Sequence, residues 1–96
     1  MITVVVREID VNGKERTKCF TNVSRYVASN SLRGFGQYKT CYDVDLHLEV
    51  GKDESGGVIE RIEELCMVVS LNAYLEGSII DNIEDKKPPR NKKELI

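Results

Sequence analysis

Hydrophobic and polar positions alternate along much of the chain, most regularly between Tyr38 and Val50. There Tyr38, Thr40, Tyr42, Val44, Leu46, Leu48 and Val50 fall on one side and Lys39, Cys41, Asp43, Asp45, His47 and Glu49 on the other. A period of two with one apolar side predicts a half-buried strand with a wet face. The N-terminal stretch ITVVVREIDVNGKERTKCFTNV opens with a β-rich run, reaches Asn12-Gly13 and resumes with alternating residues through Cys19 and Phe20. Asn-Gly accepts the positive φ angles of a two-residue type I′ turn, so the run predicts a hairpin. With that turn Val11 faces Lys14, Val6 faces Cys19 and Val5 faces Phe20. Ile2, Val4, Val6 and Cys19 then share a face that Val23 continues.

The stretch from Val58 to Leu75 decides the fold class. At 100° per residue Val58, Ile59, Ile62, Leu65, Cys66, Val69 and Ala73 gather on one side and Glu60, Arg61, Glu63 and Glu64 on the other, which predicts a helix ending at Gly77. From Leu65 onward Leu65, Met67, Val69, Leu71, Ala73 and Leu75 also alternate as a strand would. The helix is preferred because the first half of the stretch has no strand pattern. The expected architecture is α+β: a three-stranded antiparallel sheet, built from the N-terminal hairpin and strand 38–50, packed by one helix over about 58–75. The competing architecture is a small all-β barrel in which residues 65–75 form a strand.

A helix here would be apolar nearly all round in its second half, with Met67, Val68, Leu71, Tyr74 and Leu75 pointing away from the first stripe. Either SIIDNIED, residues 78–85, folds back over this excess or a second subunit covers it. Gly51 to Gly57 is a loop by composition, and Pro88-Pro89 stops regular structure.

With 96 residues the chain supports one hydrophobic core, and 41% hydrophobic with 31% charged residues is the composition of a folded domain. The net charge of -2 supplies no general attraction to nucleic acid or anionic lipid. Its distribution is uneven. Residues 86–96 carry five basic groups and one acidic one, leaving nine basic and fifteen acidic groups, or -6, in residues 1–85. The expected organisation is an acidic globular domain over 1–85 and a flexible basic tail over 86–96.

No apolar run reaches the length of a membrane span and the N-terminus lacks the pattern of a signal peptide, so the expected location is the cytoplasm. Cys19, Cys41 and Cys66 match no metal spacing and have apolar neighbours, which predicts three buried free thiols. Asn22-Val23-Ser24 is a formal glycosylation sequon without meaning in that compartment.

Candidate chemistry is sparse. Arg33-Gly34-Phe35-Gly36 matches the start of the octamer with which RNA-recognition domains stack bases, but Gln37 and Thr40 stand at its later aromatic positions and the first strand has no aromatic residue. Gly34 and Gly36 lack the third glycine and the following helix of a dinucleotide fingerprint. Asp45, His47 and Glu49 are side chains of the type that hold a hard metal, yet such a row is more often a solvated strand face, so no metal site is assigned. The single histidine restricts any Cys-His or Ser-His pair to His47, and Cys41 is too far along the same strand. No cofactor loop is present.

These eliminations point to a non-enzymatic protein-binding module of adaptor or inhibitor type, with a character common among accessory proteins of phages and mobile elements. Its expected partner is another protein, with self-association the first to test. The candidate contact residues are Leu32, Arg33, Phe35 and Tyr38 in and after the glycine-bearing connection, and Met67, Leu71 and Tyr74 on the surplus face. The alternative is a weak single-stranded nucleic-acid module that uses the RGFGQY loop and the basic tail.

Overall fold

The computed structural model describes residues 1–31, 38 and 40–84, and all regular structure within them is β. Five strands follow in order: β1 (Ile2–Ile9), β2 (Glu15–Ser31), β3 (Cys41–Lys52), β4 (Val58–Leu75) and β5 (Ser78–Glu84). Every pairing is antiparallel. β1 and β3 each pair with both β2 and β4, so β1–β2–β3–β4 close into a ring, and β5 adds to β4. This overturns the α+β expectation and its packing helix; the chain follows the competing all-β reading. Among the described residues no helix is long and apolar enough to cross a membrane.

The helical pattern of 58–75 has a physical explanation. Met67 sits at φ 56, and the register of β4 shifts at that point against β3 and again against β1, where Val69 is the extra residue. Each β-bulge inserts one residue and converts a step of two into a step of three. Leu65, Val68, Leu71 and Ala73 therefore all reach the core, at spacings that imitate one face of a helix. Residues 58–62 are exposed on both sides, because β1 covers β4 only from Val68 onward. They show no strand alternation because neither face there is buried. Val68 and Val69, with Val58, Ile59 and Ile62, are the β-branched residues that a pleated backbone accommodates.

The N-terminal hairpin forms one residue out of the expected register. Asp10 pairs with Lys14, its N–H donating to the Lys14 carbonyl at 2.9 Å, and the loop holds three residues rather than two. Asp10 Oδ1 accepts the N–H groups of Asn12 and Lys14, while Gly13 takes φ 82. A turn closed by aspartate and followed by a left-handed glycine is the usual three-residue hairpin. Val5 then faces Cys19, Val6 faces Lys18 and Val4 faces Phe20. Phe20 joins the inner face and Cys19 turns out to solvent. The expected burial of all three thiols holds for Cys41 alone, since Cys66 is also exposed.

The main core fills the ring with Val4, Val6, Val23, Val44, Leu46, Leu48, Leu65, Val68, Leu71 and Ala73. The inner face predicted for β3 is seen at Val44, Leu46 and Leu48, but Val50, beside a register shift, is exposed. A smaller cluster holds Ile9, Tyr38, Cys41 and Val69. Alternation puts Ile9 on the opposite face of β1 from Val4 and Val6, so this cluster lies outside the ring. Cys41, predicted on the wet face, is buried there.

Candidate functional site

The two long strands change partners midway, and this fixes which edges are open. β2 pairs with β1 up to Val23 and with β3 from Val23 on; β4 pairs with β3 up to Val68 and with β1 beyond it. Val68 is opposite both Glu8 of β1 and Tyr42 of β3, so β1 and β3 lie on opposite edges of β4. Past Val68 the edge that β3 vacates is taken by β5, from Ser70–Glu84 to Leu75–Ser78. The turn between them is Glu76-Gly77, at φ 53 and 83, the two left-handed residues of a type I′ hairpin. Gly77 thus reverses a strand; the helix stop expected there does not exist.

Among the described residues β5 has a strand on one side only. Its two carboxylates have partners on other strands. Asp81, opposite Ala73 of the core, accepts a hydrogen bond from the Tyr26 hydroxyl, and Glu84 receives the Arg7 guanidinium at 3.3 Å. Burial, followed by the hydrogen bond and charge of Asp81, pushes the Tyr26 phenol up to about 12. A register shift makes Ile80 the extra residue between Ile79, opposite Tyr74, and Asp81. The bulge leaves two adjacent isoleucines exposed, at 62% and 49% of their surface. These two residues were read from sequence only as part of a segment folding back over a helix. The signal for them was Glu76-Gly77 between two apolar runs, a hairpin cue hidden by the helical pattern before it.

The predicted contact residues do not form one surface. Leu32, Arg33 and Phe35 lie outside the described residues. Tyr38 is buried in the outer cluster and its hydroxyl donates to Glu15, so it is a packing residue and offers no ring for base stacking. Leu71 is fully buried in the main core, because the bulge at Val69 turns it inward. Met67 is half-buried against the outer cluster, beside an open depression of about 310 Å³ that Ile9, Val11 and Cys66 also line. Tyr74 is partly exposed and lies opposite Ile79. Leu71 and Tyr74 both pair with β5, and of these two Tyr74 is the one with exposed surface.

The acidic row keeps its outward direction. Asp45 stands directly opposite Glu64, and Glu49 opposite Glu60. Like charges in such positions repel. His47 turns to Glu60, with Nδ1 3.7 Å from its carboxylate, and Ser24 Oγ donates to the same carboxylate at 2.5 Å. Glutamate, not histidine, is the middle member of this set, so the imidazole is not placed to take the serine proton. Among the described residues no three His, Cys, Asp or Glu side chains come together to hold a metal ion.

Comparison of the chain with protein-family models, with curated proteins and with solved structures matches nothing.

Proposed function

We propose that this chain is a small non-enzymatic binding module that works by occupying a surface of another protein, as an adaptor or an inhibitor does. One observation carries the reading: β5 is an open edge that exposes Ile79 and Ile80 side by side. Sheet edges in free proteins are usually guarded by outward charge, proline or a covering loop. Here the two carboxylates of the strand are drawn to Tyr26 and Arg7, and the groups left exposed around the bulge are apolar. An extended segment or an apolar patch of a partner gains both backbone hydrogen bonds and buried isoleucine surface at such an edge.

The test is capture from the native host with the whole chain as bait, compared with an Ile79→Lys/Ile80→Lys bait of unchanged circular dichroism. The expected outcome is one or a few proteins enriched by the natural bait and lost from the variant. Equal enrichment by both baits would overturn the assignment of the site.

A further inference from the structure

We propose that the basic segment 86–96 folds back over the outer face of the β3–β4 pair, with its cations against Asp45 and Glu64. The contact is separate from the β5 edge and does not depend on it. Asp45 and Glu64 stand directly opposite each other beside an open depression of about 300 Å³ that Asp43 and Cys66 also line. Neither carboxylate has a hydrogen-bond or ion-pair partner among the described residues, and like charges so placed repel. Other strand carboxylates are compensated. Glu8, Glu15, Glu63 and Glu84 lie against Lys18, Arg7, Arg61 and Arg7, Asp81 accepts from Tyr26, and Glu60, opposite Glu49, is held by Ser24 and His47. Among the described residues Asp45 and Glu64 are thus the facing acidic pair in which both members lack a partner.

The topology brings cations to this pair. β5 and β3 lie end to end on one edge of β4, since Glu84 is opposite Ser70 and Tyr42 is opposite Val68. A chain that continues past Glu84 meets the start of β3, which already holds that edge, and Pro88 and Pro89 have no N–H for a ladder. The inner face is filled by Val44, Leu46 and Leu65, which leaves the outer face as the path. From Ser70 back to Glu64 is six residues of β4, at most about 20 Å at ~3.3 Å per residue. From Glu84 to Arg90 is also six, and the two prolines favour an extended stretch of ~3.1 Å per residue. Arg90 then reaches the Asp45–Glu64 pair, with Lys86 and Lys87 before it and Lys92 and Lys93 beyond. The segment begins so close to the pair that the contact forms within one copy of the chain.

The test is nuclear magnetic resonance of the whole chain, natural and with Lys86→Gln/Lys87→Gln/Arg90→Gln. At low salt the substitutions should shift the backbone amide signals of Asp45, Glu64 and Cys66 and leave those of Gly13 and Gly56 in place, equally at every protein concentration. Salt of about 0.5 M should produce the same shifts in the natural chain, because contacts between exposed charges are screened. In the reciprocal variant Asp45→Asn/Glu64→Gln the heteronuclear Overhauser effect of residues 86–93 should fall to the value of a free chain, while the amide dispersion of the strands is kept. Unmoved Asp45 and Glu64 signals in the triple variant overturn the proposal, as does a free-chain Overhauser effect in the natural chain at low salt. Shifts centred on Glu49 and Glu60 overturn it by placing the segment elsewhere. Shifts that grow with protein concentration overturn it too, since they belong to the segment of another copy.

Discussion

Asp10 and Asp53 close two hairpins with the same device. Asp53 Oδ1 accepts the Ser55 hydroxyl at 2.8 Å and the N–H groups of Gly57 and Ser55 at 2.7 and 3.0 Å, as Asp10 Oδ1 accepts those of Lys14 and Asn12. The Lys14 N–H is the main cause that lowers Asp10, and the Ser55 hydroxyl the main cause that lowers Asp53, each below the ordinary carboxylate value. A carboxylate lowered on folding adds stability above its unfolded pKa, and this is lost as pH falls through the lower folded value. The melting temperature should therefore drop as pH goes below about 4. In Asp53→Asn the amide oxygen still accepts but carries no charge, so the variant should melt lower at neutral pH and converge on the natural chain in acid. Melting curves across that range decide it. Tyr26 sets the opposite limb. A phenol raised on folding adds stability that is complete below its ordinary value of 10.0 and is lost as pH rises through about 12. Tyr26→Phe should cost about 1 kcal/mol at neutral pH and remove this alkaline loss in urea titrations.

At the scale of the element, β4 and its turn into β5 carry the most information. Glu76 holds φ 53, a left-handed conformation that costs a residue other than glycine or asparagine about 1 kcal/mol. Glu76→Asn gives the type I′ turn its favoured pair and should raise the unfolding free energy by about 0.5–1 kcal/mol, read from the urea midpoint. Far-ultraviolet circular dichroism of the natural chain should show the single broad minimum of strands; the double minimum of a helix would contradict the architecture. β3 was legible from its alternation because one face is buried along most of its length. β4 was not, and the reason lies in particular residues. Val58 to Ile62 stand beyond the ring with both faces wet, and the bulges at Met67 and Val69 move the inward positions to Leu65, Val68 and Leu71. Two-residue periodicity cannot record an inserted residue. Asn12-Gly13 marked its hairpin correctly, but the register was set by the Asp10 carboxylate, which shifted the pairs from Val4–Phe20 to Ile9–Glu15 by one and turned Cys19 outward.

The whole molecule divides into residues that close the ring and residues that ring closure leaves outside, and the two classes predict different phenotypes. Apolar character alone could not separate them from sequence: Leu71 was expected on a contact surface, and Ile79 and Ile80 belonged to a segment that was one of two expected covers, whereas the structure buries Leu71 and leaves Ile79 and Ile80 exposed. Leu71 belongs to β4 where that strand is covered by β1 on one edge and β5 on the other, and it has no exposed surface. Leu71→Ala should leave a cavity in the one core that all four ring strands share, and lower stability by about 2–5 kcal/mol. In a domain of marginal stability that is a large fraction of the total, so binding would fail along with the fold. Ile80→Lys removes no core contact, because Ile80 is the bulged residue of an edge strand. Its effect on the urea midpoint should stay within about 0.5 kcal/mol, as for other surface substitutions. Urea unfolding of the two variants beside the natural chain tests the division directly. A stable Leu71→Ala protein, or an Ile80→Lys protein as destabilised as a core variant, would mean that the ring does not enclose the core in this way.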